Sequence, residues 1–379
     1  MKSARFLIIT ILFLVAGLFL PSRQLSAQNA DAKSKKGQSH ELGGVTPWLS
    51  LDPIEPQIDP TQPMGMSPKP FPGPVLLSGT YYYGNADKET VPVLLLHGSD
   101  GNRRDFSSLI DTLANAGYAV LAVDLRGHGK SNKRYEITPP QFSVQTVARS
   151  RSSSGRGGTG KAKISTDVVP TAPPTRKLVD FKDKDDDILS KDYIDMAKYD
   201  LPAYREELLK AHDAGVCNMN RLVIIGIDRG AALAAYQAMQ DWKEKDSSRL
   251  TKTLILIAPA DLDVAVDTTK CFRDNKWMGS GLASLFVNPL SSPSSQMLSG
   301  KIRNELIGKN ADETAEFRFQ GITYKGEKKI QTDKGETLAP MTWAETFADK
   351  ELGVTPKILE FLNNRNNLFE GKARWSRIK

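Results

Sequence analysis

The stretch that decides the fold is residues 222–242, which read LVIIGIDRGAALAAYQAMQDW. Leu222 to Ile225 is a short continuous apolar run, which predicts a buried strand. Ala231 to Trp242 is apolar on nearly every face, which predicts a buried helix. Between them lies the turn Gly226-Ile227-Asp228-Arg229-Gly230. The pattern therefore predicts a strand that passes through a tight, glycine-flanked turn directly into a helix.

The same alternation extends to both sides of this turn. Val75 to Tyr83 and Val91 to Leu96 read as strands because they are rich in β-branched, aromatic and other apolar residues. Apolar residues at helical spacing fill 106–113, and Ala119 to Val123 gives a further strand. Leu254 to Ile257 is the next strand after the helix. Strands that alternate with helices predict a parallel sheet with right-handed crossovers.

Three motifs, in this order and spacing, resemble the α/β-hydrolase superfamily. They are LLLHGSDG at residues 94–101, DLRGHGKS at 124–131 and the Gly-x-x-x-Gly turn at 226–230. The resemblance covers about Val75 to Ala260. It implies an α/β-hydrolase fold, in which a mostly parallel central sheet is flanked by helices, with a divergent C-terminal third.

The resemblance places the nucleophile at position 228, where this chain has Asp instead of Ser. An aspartate there is similar to the haloalkane dehalogenase, fluoroacetate dehalogenase and epoxide hydrolase branches, in which a carboxylate attacks an alkyl carbon and water hydrolyses the ester. The resemblance also implies that the backbone N–H groups of Ser99 and Arg229 face the oxyanion and that the Arg229 side chain holds an acidic substrate. The residues alone leave another interpretation open, in which Asp228 only stabilises a helix N-terminus.

The histidines argue against an intact triad. The chain has four, at positions 40, 97, 128 and 212. The family's order of nucleophile, acid and His implies a base well downstream of Asp228, but no His follows position 212. The loop before the last predicted helix, about 344–352, offers Glu345, Asp349, Lys350 and Glu351 instead. His97 and His128 lie on turns at strand ends, so they remain candidate oxyanion or substrate-binding residues.

The orienting acid has candidates but no imidazole to orient. Asp261 and Asp263 follow the strand Leu254 to Ile257 and equally suit helix caps or solvated surface. Two hypotheses therefore stand. One is a degenerate α/β-hydrolase that acts as a binding or scaffolding protein, with a small-molecule ligand near Asp228. The other is an Asp-nucleophile hydrolase, acting on a haloacid, an epoxide or an ester-like small substrate, with a non-standard general base.

Composition excludes several classes of protein. The 379 residues are 40% hydrophobic and 25% charged, with 2 Cys and a net charge of +7. This balance does not suit a collagen, a coiled coil, a multi-span membrane protein or a disulfide-rich miniprotein. His and Cys lack metal-ligand spacing, so we expect no metal or other cofactor. The positions of Cys217 and Cys271 in the predicted elements favour two separate thiols.

The N-terminal residues predict export. Lys2 and Arg5 precede the apolar run Phe6 to Leu20, and 25–27 offer a small-residue cleavage site. We interpret 1–27 as a signal peptide that directs the chain to the periplasm, the cell envelope or the outside of the cell, with an uncleaved membrane anchor as the alternative. The remaining chain would carry a charge of only +4, which does not indicate a nucleic-acid partner, and the sequence identifies no protein partner.

Four further segments complete the predicted organisation of the chain. Residues 28–74 are proline-rich and predict an extended, mostly disordered leader to the domain at 75–379. Residues 136–190 contain charge blocks and predict a disordered, low-complexity insertion. Trp277 to Leu298 reads as a lid over the pocket or as a disordered connector. Glu316 to Lys325 alternates aromatic and polar residues and predicts a strand.

Overall fold

The computed structural model describes residues 38–45, 71–138, 141–149, 163–172, 175–180, 190–243, 249–261, 266–273, 275, 278, 282–308, 318–333, 335–364, 376 and 378. The predicted signal peptide and most of the predicted leader lie outside these residues. Among the helices of the described ranges, none has both the length and the apolar character needed to cross a membrane.

A 10-stranded mixed sheet organises the molecule. Its order is β12-β11-β10-β9-β3-β4-β2-β5-β8, and β1 pairs with β2 off this path. The stretch from β12 to β4 is parallel, while β2, β5 and β8 add antiparallel pairings at one side. Its strands are β1 Ser39–Val45, β2 Phe71–Tyr82, β3 Pro92–Leu96, β4 Ala119–Asp124, β5 Lys133–Thr138, β8 Thr175–Asp180, β9 Leu222–Ile227, β10 Thr251–Ile257, β11 Ala283–Pro289 and β12 Phe319–Tyr324.

Helices cover both faces of the sheet. Alternate strand residues point to opposite faces, so Leu94 and Leu96 belong to one apolar core while Val93 and Leu95 belong to the other. The first core is shared with α2 to α6 and the second with α1, α7 and α8. The helices are α1 Ser107–Asn115, α2 Ser190–Asp195, α3 Leu201–Asp213, α4 Arg229–Lys243, α5 Thr268–Arg273, α6 Pro293–Gly308, α7 Trp343–Ala348 and α8 Val354–Asn363.

The predicted core elements are confirmed. The strand at 222 and the helix after it are β9 and α4, and the predicted strand at Glu316 to Lys325 is β12, which pairs in parallel with β11. The fold is therefore the predicted α/β-hydrolase arrangement. Cys217 and Cys271 are both buried and form separate thiols, not a disulfide.

The segment Trp277 to Leu298 corrects the prediction of a lid or connector. It contains β11, which is buried along its whole length between β10 and β12, and the start of α6. Its run ASLFVNP has an apolar centre, Leu285 to Val287, and two parallel neighbours, which is typical of a strand covered on both faces. The flanking Gly and Ser residues concealed that signal.

The structure contains strands in two parts of the predicted leader. Ser39–Val45 pairs antiparallel with β2, and β2 begins at Phe71, four residues before the predicted start. Leu42 is buried, and Glu41 binds Arg103 at 2.9 Å. These contacts join residues distant in the chain, so the local composition gave no sign of them.

The predicted insertion contains paired strands. β5 and β8 pair with each other, and β5 also pairs with β2. β6 Gln141–Arg149 and β7 Lys163–Ala172 form a separate antiparallel pair. Within each pair, hydrogen bonds between the strands satisfy backbone N–H and C=O groups. Outside it, β13 Glu327–Thr332 and β14 Gly335–Pro340 form another two-stranded sheet.

Candidate active site

The turn between β9 and α4 holds Asp228 in a strained conformation. Its φ is 51°, in the left-handed region that non-glycine residues rarely adopt. A Cβ at Gly226 would lie 2.3 Å from the Gly230 carbonyl oxygen, and one at Gly230 would lie 2.3 Å from the His97 carbonyl oxygen. Both glycines are therefore required, and the turn presents a single side chain at the strand end, as the sequence predicts.

Main-chain hydrogen bonds fix this turn to the end of β10. The Asp228 N–H donates to the Ile257 carbonyl at 2.9 Å, and the Asp228 carbonyl accepts from the Ala260 N–H at 3.3 Å. Both hydrogen bonds therefore join the bend to residues at and just after the end of β10. These bonds to the sheet fix the position of the Asp228 carboxylate.

The carboxylate of Asp228 is bound by Ser99. The Ser99 N–H donates to Oδ2 at 3.1 Å and the Ser99 hydroxyl donates to the same oxygen at 2.7 Å. Ser99 lies on the turn after β3, where Gly98 lets the two loops approach, since a Cβ there would lie 3.2 Å from the Asp228 Cβ. The N–H that the resemblance directs towards a substrate oxyanion is engaged by the carboxylate of the protein itself.

Both ring nitrogens of His97 form hydrogen bonds with the main chain. Its Nε2 accepts from the Leu125 N–H at 2.8 Å, so Nδ1 carries the proton and donates to the Gly98 carbonyl at 2.7 Å. Burial lowers the pKa of His97 to about 4. The ring is therefore neutral, fixed in one tautomer and used at both nitrogens.

His128 also faces backbone carbonyls with both nitrogens. Nδ1 lies 2.9 Å from the Arg126 carbonyl oxygen, and Nε2 makes a short contact with the Ser99 carbonyl oxygen. His128 packs edge-on against the His97 ring, with the centroids 4.9 Å apart. It supports the Ser99 turn from behind, because it binds the main chain of Ser99 and not the carboxylate of Asp228.

The other two histidines lie elsewhere. His212 is buried, with Nε2 2.9 Å from the Ser376 carbonyl oxygen, and His40 lies on β1 opposite Tyr81. All four histidines belong to the part of the chain that the structure describes. No hydrogen bond found there joins any of them to Asp228.

The Arg229 side chain contacts Tyr193. Its Nη1 donates to the Tyr193 hydroxyl at 3.1 Å, and its guanidinium carbon lies 5.3 Å from the centre of the Tyr193 ring. The side chain is thus directed at α2, and Arg229 is not among the residues that line the adjacent cavity. That it holds an acidic substrate stays a prediction.

Asp261 lines the cavity, and its carboxylate caps a helix. Its Oδ1 accepts from the Thr268 N–H at 3.1 Å, at the first residue of α5. This is the helix-cap alternative from the sequence, and among the described contacts Asp261 orients no imidazole. Asp263, the other candidate acid, lies outside the described residues.

A cavity of about 790 Å³ opens beside Asp228. Its walls come from the turns after β3, β9 and β10, the start of α6 and the segment Met341-Thr342-Trp343. Four carboxylates line it, those of Asp100, Asp105, Asp228 and Asp261, against one cation, Lys301. None of the four pairs with a Lys or Arg within 4.0 Å among the described residues. The site therefore has an excess of negative charge.

The C-terminal residues that line the cavity lie just before the predicted loop at 344–352. Met341 to Trp343 line it, whereas Glu345 of the predicted 344–352 loop lies in α7 and completes a capping box with Thr342. A hydrogen bond from Lys328 lowers the pKa of Glu345 to about 2, which makes it a poor proton acceptor. The Thr342-x-x-Glu345 pattern was the available sequence signal for this helix start.

The DLRGHGKS motif forms a rigid loop behind the site. Asp124 accepts from the Arg103 N–H at 3.0 Å and the Lys130 N–H at 2.9 Å. Arg126 makes two hydrogen bonds, at 2.8 and 2.9 Å, to the buried Asp200 carboxylate. These groups fix the loop that carries His128. Their role is structural, since the carboxylates are used by the backbone and by arginine.

No candidate metal site is found in the described ranges, where no three or more His, Cys, Asp or Glu side chains converge in a suitable arrangement. The four cavity carboxylates thus do not form such a group.

Comparison with known families identifies the fold family. A model of an alpha/beta hydrolase family matches residues 93–321, more than half of the chain. The chain belongs to the alpha/beta hydrolase family. The matched range contains both site turns and every strand from β3 to β12, apart from the first residue of β3 and the last three of β12.

Solved structures of hydrolases are similar to this alpha/beta hydrolase at low identity. A predicted CIB-like hydrolase from Thermoplasma acidophilum is 13% identical, with 79% of this chain and 100% of that chain covered and a TM-score of 0.40. The Pyrococcus furiosus esterase is 15% identical, with 78% and 91% covered and a TM-score of 0.42. A dienelactone hydrolase from Anabaena variabilis is 13% identical, with 80% and 100% covered and a TM-score of 0.37. Comparison with curated proteins gave no match.

Proposed function

We propose that this alpha/beta hydrolase is catalytically degenerate and binds a small molecule in the cavity beside Asp228. The observation that carries this proposal is that both hydrogen-bond donors of Ser99 are directed at Asp228 Oδ2. A donor for a developing oxyanion has to be available to the substrate. In this protein the Ser99 N–H already donates to the Asp228 carboxylate.

The second support is the arrangement of the imidazoles. An ester formed on Asp228 would need a base to activate water, and a positioned base contributes about 10²–10⁴ in rate. His97 and His128, the nearest histidines, use both ring nitrogens on the main chain. We infer that such an ester would persist instead of turning over.

An Asp-nucleophile hydrolase is the second candidate. The strained φ of 51° at Asp228, at the mouth of a cavity, favours it, because strained backbone often marks functional positions. Its substrate would be a small electrophile such as an epoxide. A haloacid is less suitable, because the cavity is lined by four carboxylates and Arg229 is turned away. We infer export from residues 1–27 alone.

Binding is tested by filling the cavity. Ligand-observed NMR with a library of neutral and cationic fragments should find compounds that bind the wild type and are recovered unchanged. Ser294→Trp places a large ring at the cavity wall and should abolish their binding, while Ser107→Trp, an exposed serine outside the cavity, should leave it intact. Binding that Ser294→Trp leaves unchanged would refute a cavity site, and consumption of the compounds would refute degeneracy.

A further inference from the structure

The closest polar contact of the Asp228 carboxylate is with a hydroxyl group. Ser99 Oγ lies 2.7 Å from Asp228 Oδ2 at the wall of the cavity. A carboxylate only accepts hydrogen bonds, so the Ser99 hydroxyl donates its proton towards Asp228. The Ser99 N–H binds the same oxygen at 3.1 Å, which fixes both groups. A hydroxyl hydrogen-bonded to a carboxylate has the arrangement of a nucleophile with its base.

We propose that Ser99 is an acyl-accepting nucleophile and that Asp228 takes its proton. This inference rests on the binding cavity proposed above and goes beyond it, because it assigns the cavity a reaction. The roles are exchanged relative to the resemblance: the residue on the β9 turn acts as the base, and the residue on the β3 turn attacks.

The other serines of the cavity lack this arrangement. Ser295 donates to the Asn288 side-chain oxygen at 3.1 Å, and the hydroxyls of Ser292 and Ser294 lie 3.4 Å from each other. Among the serines that line the described cavity, only Ser99 has a hydrogen bond to a carboxylate. The predicted reactivity is therefore specific to one hydroxyl.

The reaction balances without another reactant. Ser99 Oγ attacks the carbonyl carbon of an ester, and the hydroxyl proton passes to Asp228 Oδ2. The bond between that carbon and the alcohol oxygen then breaks, and Asp228 returns the proton to the departing alkoxide. The products are an alcohol, an ester on Ser99 and an ionised Asp228.

Charge determines the class of acyl compound. Among the described residues that line the cavity, Asp100, Asp105 and Asp261 accompany the pair and Lys301 alone opposes them, so the cavity repels anions. The acyl group should be neutral or cationic. We expect an anionic ester to react about 10-fold more slowly than a neutral ester of equal intrinsic reactivity.

The test uses the full chain and p-nitrophenyl acetate. Mass spectrometry of the intact protein and of its peptides should find one acetyl group, located on Ser99, in the wild type and in the control Ser107→Ala. Ser99→Ala should lose this adduct, although its N–H can still bind Asp228. Asp228→Asn should slow acetylation by about 10²-fold or more, because the amide cannot take the proton. The p-nitrophenyl monoester of succinic acid tests the charge effect.

The outcomes separate this inference from the proposed function. A lasting adduct on Ser99 supports both, and repeated release of p-nitrophenol that requires Ser99 supports the nucleophile while refuting degeneracy. No adduct on Ser99 in folded protein that still binds cavity ligands overturns the nucleophile alone. Equal acetylation of wild type and Asp228→Asn overturns the role of Asp228, and faster reaction of the succinate ester overturns the substrate class.

Discussion

Asp228 combines an unfavourable backbone with favourable side-chain contacts. A φ of 51° costs a non-glycine residue roughly 1 kcal/mol or more. Two hydrogen bonds from Ser99 to the carboxylate offset this cost, each contributing about 1–3 kcal/mol because the acceptor is charged. The side chain at this position is thus held by the β3 turn, which explains how the bend persists with a residue other than glycine.

Substitutions at Asp228 separate the cost of the strained backbone from the stabilisation by the Ser99 hydrogen bonds. Asp228→Ala removes the hydrogen bonds and keeps the strain, while Asp228→Gly removes both. We expect Asp228→Gly to unfold with a free energy about 1 kcal/mol higher than Asp228→Ala, measured by urea denaturation. If Asp228→Ala were as stable as Asp228→Gly, the turn would not be strained in the way described.

At the scale of residues, the sequence predicted where the site residues lie in the turns but not which side chains they contact. It placed Asp228 at the bend and Ser99 beside it, because glycines at fixed spacing define both turns. It could not show that Ser99 binds Asp228 instead of facing a substrate, since 129 residues separate them. Nor could it show that Arg229 turns to Tyr193, since 36 residues separate them.

At the scale of elements, β1 is attached to the sheet through a single strand, β2. It pairs only with β2 among the described strands, and Leu42 is its buried apolar side chain. Glu41 adds ion pairs to Arg103 and Lys130 at 2.9 and 3.2 Å. Such an edge strand can detach without unfolding the rest of the domain.

Replacing Leu42 tests this attachment. Leu42→Asp removes about 1.5–3 kcal/mol of burial and places a charge against β2. We expect hydrogen exchange of the β1 amides to accelerate by roughly 10- to 100-fold, with little change in the β9 and β10 amides. Ser39→Ala, at an exposed position of the same strand, is the control and should exchange like the wild type. Equal acceleration throughout the sheet would show that β1 is part of the cooperative core.

The elements that sequence could not predict share a physical cause. β3, β4, β9 and β10 carry continuous apolar runs, so their local pattern is sufficient. β1 and the strands of the insertion are polar and gain their stability from pairing with distant residues. β11 has the required apolar run, but its flanks resemble a loop, which concealed a central strand.

At the scale of the whole molecule, a buried neutral imidazole links stability to pH. Burial lowers the pKa of His97 from 6.5 to about 4. In the unfolded chain His97 takes a proton as the pH falls through 6.5, whereas in the folded protein it stays neutral until about 4. Proton uptake therefore favours the unfolded state below pH 6.5, and this effect is absent above it.

We expect the free energy of unfolding to decrease by about 3 kcal/mol from this residue alone between pH 6.5 and pH 4. His97→Asn keeps a donor near the Gly98 carbonyl but does not titrate in this range. Denaturation of both proteins at several pH values should show a shallower decline for the variant. Parallel curves for the two proteins would contradict a neutral, buried His97.

Among the described residues, no histidine is hydrogen-bonded to the carboxylate at the β9 turn, and the proposed degeneracy rests on this. The most direct measurement is the number of product molecules that each wild-type chain releases from a small reactive epoxide, together with the intact mass of the protein. We predict at most one covalent adduct per chain and no further product. Sustained release of many diol molecules per chain, lost in Asp228→Ala, would contradict the account.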